Sequence, residues 1–259
     1  MTPADILLAN RLADAAGQAI RPFFRSAFTH ESKADASPVT EADRAAESAI
    51  RRILDAECPR DGIIGEEFGE KTGTSGRRWV IDPIDGTANL MRGVPVWGAL
   101  IALAVDGKPV LSVVSAPALG RRWWAAPGVG AHTRDVDGAD RSIRVSQVST
   151  LEHASLSYNN LQLWDRAGYL NELVELSRKV WRTRAYGDFF SYMLLAEGSV
   201  DIVGEHDLKI YDIAALVPIV EQAGGSFSAL DGELTADTSS VLASNGLLHS
   251  LTQNAFAKN

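Results

Sequence analysis

The sequence predicts a fold of mixed α and β structure, and three regional patterns support this prediction. Apolar residues recur at helical spacing in roughly the first 60 residues, and short apolar stretches bounded by turn residues follow up to about 145. Predicted strands and helices then alternate to the end. Because no Gly/Ser/Pro-rich linker separates these regions, the length of 259 residues fits either one large domain or two closely joined halves.

Composition and charge exclude several classes of function. Cys58 is the single cysteine, and the five histidines lack the spacing of a helical zinc motif, so neither a disulfide scaffold nor a zinc enzyme is indicated. A net charge of −8 without a basic cluster argues against a nucleic-acid partner. With no run of eighteen apolar residues and no charged-then-apolar leader, we expect a cytoplasmic protein without a membrane partner.

Two amphipathic helices are predicted near the start of the chain. The first begins at Thr2-Pro3, where proline occupies the first helical position, and its apolar positions continue to Phe23, with a disturbance near Pro22. The second begins at Thr40 and ends at Cys58-Pro59. Asp43 is therefore predicted to lie in the first turn of the second helix.

Short apolar segments predict the remaining elements. Strands are expected at 63–64, 79–81, 99–105, 110–114, 123–124, 141–145, 154–158 and 200–203, with Asp106-Gly107 as the turn of a hairpin between the third and fourth. Further helices are expected through Leu170, Leu173 and Leu176, at 187–197, and from about Tyr211 to Gly224-Gly225. The pattern does not predict the order of strands in the sheets.

Acidic residues stand where three predicted strands end. Glu66 follows the first, Asp82 and Asp85 follow the second within one turn, and Asp212 opens a helix after a later strand. Each acid alone could be a solvated turn residue or a helix cap. If they share one cleft, their mutual repulsion calls for cations, and hard oxygen ligands suit Mg²⁺ better than zinc or copper.

Four motifs in a fixed order resemble the inositol monophosphatase superfamily of metal-dependent phosphatases. They are PVTEAD at 38–43, GEE at 65–67, WVIDPIDGTAN at 79–89, and YDIAA at 211–215 followed by residues 221–225. The last motif departs from the family by having Tyr211 where tryptophan is usual. The resemblance implies an α+β fold, a layered αβαβα sandwich whose halves are residues 1–145, with most metal-binding motifs, and 146–259, with Asp212 and the selectivity residues.

The resemblance also implies a role for each residue of the site. The expected metal ligands are four side chains and one backbone carbonyl: Glu66, Asp82, Asp85, Asp212 and the Ile84 carbonyl. Together with a phosphate dianion, these carboxylates call for two or three Mg²⁺ ions. Asp43, Glu66 and Thr87 are the expected catalytic residues, which activate and orient the attacking water. Taken alone, Asp43 and Thr87 could equally be helix caps.

Residues of the second half are expected to select the phosphate ester. The pattern R-x-x-G-D before aromatics at 184–190, with GVPVW at 93–97, resembles the superfamily branch that hydrolyses L-histidinol phosphate. That substrate carries an ammonium and an imidazole, which suit the acids Asp188 and Glu205. Asp188 could instead cap a helix, and Arg184 could form a surface ion pair. The predicted substrate-binding set is Asp85, Gly86, Thr87, Asn89, Arg184, Asp188, Glu205 and Asp212.

Several other interpretations remain open from the sequence. Within the superfamily these are an inositol monophosphatase and a broad sugar or nucleotide phosphatase. The haloacid dehalogenase class also places Gly-Thr after an aspartate, but it needs Asp-x-Asp, whereas Asp82 and Asp85 are three positions apart. A phosphate-binding protein without catalysis is also possible. The resemblance further implies a homodimer, with which the six tryptophans are compatible.

Overall fold

The computed structural model describes residues 3–26, 30–32 and 38–257 of the chain. Its helices fall where apolar residues recur at helical spacing. Their bounds are α1 (Pro3–Ile20), α2 (Glu41–Glu57), α3 (Thr87–Met91), α4 (Leu161–Ala167), α5 (Leu170–Ser177), α6 (Asp188–Ala196), α7 (Ile210–Ile213), α8 (Leu216–Gln222) and α9 (His249–Phe256).

The strands form three sheets. Strands β1 (His30–Ser32) and β2 (Pro38–Thr40) pair with each other, and the remaining strands form one large and one smaller sheet. The large sheet consists of β3 (Gly62–Gly65), β4 (Gly69–Lys71), β5 (Arg77–Asp85), β6 (Gly98–Val105), β7 (Lys108–Ala116), β8 (Arg121–Ala126), β9 (Gly130–Arg134) and β10 (Asp140–Ser142). The smaller sheet consists of β11 (Ser155–Tyr158), β12 (Arg182–Arg184), β13 (Ile202–His206), β14 (Ser226–Ala229) and β15 (Ser240–Ser244).

The strand order places the end of β5 inside the large sheet. That sheet has the order β10-β9-β8-β7-β6-β5-β3-β4, in which β5 runs parallel to β3 and antiparallel to β6. The smaller sheet has the order β12-β11-β13-β15-β14, with β11 parallel to β13. Because β3 and β5 are parallel neighbours, the residues that follow them emerge at the same edge of the sheet.

Helices and sheets stack in five layers, which confirms the predicted αβαβα sandwich. Helices α1 and α2 pack on one face of the large sheet, where Leu12 and Ile50 meet Ile101. Helices α6 and α8 fill the space between the two sheets, and α4, α5 and α9 cover the far face of the smaller sheet around Trp164. Burying apolar side chains in each layer stabilises the stack by about 25 cal/mol for every Å² removed from water.

Most predicted elements are present, and the differences have physical reasons. The single helix predicted from about Tyr211 is two helices, because Pro218 lacks an N–H group and its ring crowds the carbonyl of Ala214. The strand predicted at 200–203 begins later, at Ile202, and the strand predicted at 141–145 ends at Ser142. Asp106 and Gly107 both have positive φ, 50° and 81°, as the predicted hairpin turn requires.

Some outcomes concern the ends and the division of the chain. Thr2, the predicted cap of the first helix, lies outside the described residues, and α1 ends at Ile20 before Pro22. Strands of the large sheet lie between residues 62 and 142, and those of the smaller sheet between 155 and 244. The division near residue 145 stays a prediction, since one apolar core contains residues from both sides of it. No helix in the described ranges is long and apolar enough to span a bilayer.

Candidate active site

The carboxyl end of β5 carries the central pair of acids. Asp82 is 1% exposed, and its Oδ1 atom accepts a hydrogen bond from the Ile84 N–H at 2.9 Å. The pairing of β5 with β6 becomes irregular between Asp82 and Asp85, which turns the chain out of the sheet. Gly86 then adopts φ +86°, and a Cβ atom there would lie 2.8 Å from the Val96 carbonyl oxygen, so glycine is required.

Two further segments bring Glu66 and Asp212 to this pair of acids. The Glu66 N–H donates to the Ile81 carbonyl at 3.2 Å, and the charge of the Glu66 carboxyl acts on Asp82. Asp212 lies in α7, which packs against β5, and its Oδ2 atom accepts a hydrogen bond from the Lys209 N–H at 2.6 Å. The charge of Asp212 acts on both Asp82 and Asp85. Three distant segments thus place their acids together.

Burial and like charges raise the pKa of both central acids. For Asp82 the pKa is raised well above its usual range, first by burial and then by the charges of Glu66, Asp85 and Asp212. For Asp85 the pKa is also raised well above its usual range, by burial and then by Asp188 and Asp212, although the Phe189 N–H at 2.6 Å opposes this rise. The strongest charges acting on the pair are all negative, so a bound cation would relieve the repulsion.

A threonine and an acid from two helices meet beside this cluster. The Thr87 hydroxyl oxygen lies 3.1 Å from Asp43 Oδ1 and 2.9 Å from the Ile84 carbonyl oxygen, so it can donate to either. Asp43 Oδ2 accepts hydrogen bonds from Thr40, through N–H at 2.8 Å and the hydroxyl at 2.5 Å. Asp43 is therefore both a cap of α2 and a partner of Thr87. Burial, the largest effect, raises the pKa of Asp43.

The second half supplies two more acids to the same cleft. Asn89 Nδ2 donates to Asp188 Oδ2 at 2.9 Å and to the Val96 carbonyl at 2.8 Å. Asp188 begins α6 with φ +46°, a backbone conformation that costs energy for any residue other than glycine. Glu205 is 3% exposed on β13, and burial, followed by the charge of Asp188, raises its pKa well above the usual range.

Arg184 is the one predicted site residue that no described contact joins to the others. It lies exposed on β12, the edge strand of the smaller sheet, and its Nη1 atom donates to the neighbouring Thr183 carbonyl at 2.7 Å. In the described part of the chain, we find no hydrogen bond or ion pair between Arg184 and the acids of the cleft. A contact between Arg184 and the substrate therefore stays a prediction.

Two buried residues of the site were missed by the sequence analysis. The Tyr192 hydroxyl donates to Glu205 Oε2 at 3.0 Å, and burial, followed by the charge of Glu205, raises the pKa of Tyr192 well above its usual range. Tyr192 gave no signal because it sits in an apolar helix. Glu47 contacts the turn that holds Glu66. The sequence could have indicated Glu47, because it is a charged residue on the apolar face of α2, between Ala46 and Ile50.

The donor set fits divalent metal ions by its chemistry. It offers carboxylate oxygens from three segments and the Ile84 carbonyl, and oxygen ligands of this kind suit hard cations. As the side chains stand in the described residues, no three acids, histidines or cysteines are arranged to hold an ion. The repulsion within the cluster is nevertheless the kind that divalent cations neutralise. Together with the four sequence motifs, these features fit the class of divalent-metal-dependent phosphoric monoester hydrolases.

Comparisons with known proteins agree with this class. The model of the inositol monophosphatase family matches residues 4–259. The chain is 50% identical to the histidinol-phosphatase of Mycobacterium tuberculosis over 251 residues, which covers 96% of each chain. It is 53% identical to the histidinol-phosphatase of Streptomyces coelicolor over 251 residues, which cover 95% of this chain and 94% of that protein. The structure of an inositol monophosphatase from Zymomonas mobilis is 39% identical to the chain and superposes on it with a TM-score of 0.85. The superposition covers 98% of this chain and 97% of that one.

The chain belongs to the inositol monophosphatase family. This membership confirms the resemblance carried by the four motifs and decides against the haloacid dehalogenase class. It also agrees with the layered sandwich, since the Zymomonas mobilis structure superposes on nearly the whole chain.

Proposed function

We propose that the chain hydrolyses L-histidinol phosphate to L-histidinol and phosphate, with two or three Mg²⁺ ions. The observation that carries the substrate is the pair Asp188 and Glu205, whose charges act on each other and on Asp85. One carboxylate beside a phosphate site can accept hydrogen bonds from the hydroxyls of a neutral alcohol, but a pair of carboxylates adds negative charge that a cationic leaving group would balance. The pair suits a leaving group with an ammonium and an imidazole, because each can donate charge-assisted hydrogen bonds to a carboxylate.

The metal ligands in this proposal are the side chains of Glu66, Asp82, Asp85 and Asp212 with the Ile84 carbonyl. Bound Mg²⁺ supplies Lewis acidity toward the phosphate and the attacking water. The chain itself orients the reactants. The Thr87 hydroxyl, fixed between Asp43 and the Ile84 carbonyl, can accept a hydrogen bond from the water and pass its own proton to Asp43.

The phosphate in this proposal lies against the turn that leads from β5 into α3. Backbone N–H groups of Gly86 and Thr87 are the expected donors to its oxygens. Asn89 supports this turn, since its amide nitrogen donates to the Val96 carbonyl and to Asp188, and its contact with the substrate stays a prediction. These two hydrogen bonds connect the turn after β5 to Asp188 of the second half.

A substrate panel tests this proposal directly. Phosphate release is measured from L-histidinol phosphate, inositol 1-phosphate and glycerol phosphate, each with and without Mg²⁺. We expect kcat/KM for L-histidinol phosphate to be the highest and to require the metal. A higher kcat/KM for inositol 1-phosphate would favour inositol monophosphatase activity, the activity after which the similar Zymomonas mobilis protein is named. No hydrolysis of any ester with Mg²⁺ would instead favour a non-catalytic binding protein.

The proposal includes a cytoplasmic homodimer without a nucleic-acid partner. Trp181 supports a subunit contact, because it is 67% exposed and directly precedes β12, the edge strand of the smaller sheet. Large aromatic side chains that remain exposed are enriched at protein interfaces. Light scattering of the purified chain and of Trp181→Glu tests this contact: we expect a dimer and a monomer, respectively.

A further inference from the structure

Glu47 is a fully buried carboxylate that the proposed reaction does not use. It lies one helical turn after Asp43 on the face of α2 that packs against β5, and it is 0% exposed. A carboxylate is rarely buried on an apolar helix face unless several donors satisfy it. The donors that satisfy Glu47 therefore indicate its role.

Its two oxygens bind the turn between β3 and β4. Glu47 Oε2 accepts the Glu67 N–H at 2.7 Å, and Oε1 accepts the Phe68 N–H at 3.3 Å. Oε1 also accepts Arg51 Nε at 2.7 Å, which balances the charge. The carboxylate thus satisfies two backbone donors of this partly buried turn.

The same turn requires glycine because the carboxylate fills the space beside it. A Cβ atom added to Gly65 would lie 1.9 Å from Glu47 Oε1, a distance no side chain could accept. The glycine of the Gly65-Glu66-Glu67 motif is therefore matched to Glu47 on α2. A larger residue at position 65 would displace the Glu47 carboxylate from its present place.

Glu66, a proposed metal ligand, is held from both sides by these contacts. On one side its N–H donates to the Ile81 carbonyl at 3.2 Å, which fixes it to β5. On the other side the Glu67 N–H is fixed to Glu47 at 2.7 Å. In addition to burial, the charge of the Glu66 carboxyl raises the pKa of both Asp82 and Asp43.

We propose that Glu47 is a positioning residue for the Glu66 carboxylate and so sets the affinity of the metal site. This inference rests on the proposed function, because it takes Glu66 as a Mg²⁺ ligand. Helix α2 then has two tasks one turn apart: Asp43 holds the Thr87 hydroxyl, and Glu47 holds the turn with Glu66. Groups that orient a ligand usually change metal affinity by about 10- to 100-fold when removed.

The test compares Mg²⁺ affinity in four forms of the full chain: wild type, Glu66→Gln, Glu47→Gln and Asp201→Asn. Asp201 is the matched control, since it is also buried and accepts a backbone N–H, that of Ser155 at 2.6 Å, but lies at the start of β13. Mg²⁺ binding is measured by calorimetry and by the metal-induced rise in Tm. The Mg²⁺ dependence of phosphate release is measured alongside.

We expect Glu47→Gln to weaken Mg²⁺ binding by about 10- to 100-fold, with kcat largely recovered at saturating Mg²⁺. Asp201→Asn should lower Tm without changing Mg²⁺ affinity. If Glu47→Gln does not fold, Glu47→Asp keeps the charge but is one methylene too short to reach both N–H groups, and the same loss of affinity is expected. Wild-type affinity in either folded variant would overturn the inference.

The two proposals fail in different ways in this experiment. If Glu66→Gln weakens Mg²⁺ binding and Glu47→Gln does not, the metal site stands and the role of Glu47 is wrong. If the wild type binds no Mg²⁺, or Glu66→Gln binds it as tightly as wild type does, the metal site itself is wrong, and the inference falls with it.

Discussion

Buried acids lie at both ends of β5, in opposite electrostatic settings, although those at its start come from other segments of the chain. At its start, Arg77 pairs with Asp5 at 2.6 Å and with Asp61 at 3.1 Å, and Asp61 also accepts hydrogen bonds from Ser75 and Trp79. At its end, the groups that act most strongly on Asp82 are other carboxylates. The first set of acids has a cation and neutral donors supplied by the chain, whereas the second calls for cations from outside.

This contrast separates structural acids from acids of a site. A carboxylate with an arginine and two neutral donors contributes to folding, because its burial is compensated by its own neighbours. A group of mutually repelling carboxylates lowers the stability of the metal-free chain and is therefore retained for function. Residue type alone does not distinguish the two, since both ends of β5 offer aspartates near apolar strand residues.

The largest expected effect is that of Asp82→Asn at the end of β5. Loss of this proposed ligand should lower kcat/KM for phosphate release by at least roughly 10³-fold, because the metal ion that it would hold stabilises charge in the transition state. The same variant should raise the free energy of unfolding in EDTA, because one of the repelling charges is gone. Activity is measured by phosphate release and stability by urea unfolding. A lower free energy of unfolding for Asp82→Asn than for wild type in EDTA would contradict the proposed difference between the two ends of β5.

The matched variant at the start of β5 is Asp61→Asn, with the opposite expected outcome. Weakening its bonds with Arg77, Ser75 and Trp79 should lower the free energy of unfolding by about 1–3 kcal/mol. At a temperature where the variant is folded, kcat/KM should stay near the wild-type value. If Asp61→Asn instead lost activity while keeping its stability, the start of β5 would belong to the site.

Thr87→Ala comes next in size and tests the hydroxyl beside the metal cluster. Removing a group that orients and deprotonates water should reduce kcat by roughly 10²-fold. Thr87→Ser is the control, because it keeps the hydroxyl within reach of Asp43 and should retain most of the turnover. Equal loss in both variants would point to packing of the methyl group rather than to proton transfer. Asp43→Asn should match Thr87→Ala in kcat.

Asp188→Asn tests whether the second-half acids recognise a cationic leaving group. Asparagine tolerates the positive φ of this position, so the backbone should be unchanged, whereas alanine would add strain. KM for L-histidinol phosphate should rise by roughly 10-fold or more, as expected for a lost bond to a charged group. KM for glycerol phosphate should change little. A similar rise for both esters would reject pairing with the cation.

Much of the fold and of the acid cluster followed from the sequence, but the contacts that support the cluster did not. Acids at the ends of strands are visible in the pattern, and parallel neighbours bring them together. The contact of Glu47 with the Glu67 N–H joins residues twenty positions apart and depends on how α2 packs on the sheet. The hydrogen bond from Tyr192 to Glu205 likewise depends on the packing of α6 against β13. Local pattern carries no information on such distances.

The smallest expected effect concerns a half-buried base, His249, which lies on a different element from both ends of β5. His249 lies between two neutral hydroxyls, those of Ser244 at 3.1 Å and Ser228 at 3.0 Å, and burial lowers its pKa from the usual 6.5. A lowered pKa means that the unfolded chain binds this proton first, so its contribution to stability is lost as pH falls below about 6.5. Urea unfolding between pH 7.5 and 5 should therefore show a steeper loss for wild type than for His249→Gln, which can bond both hydroxyls without charge. Parallel curves would show that the hydroxyls satisfy the charged ring as well as the neutral one.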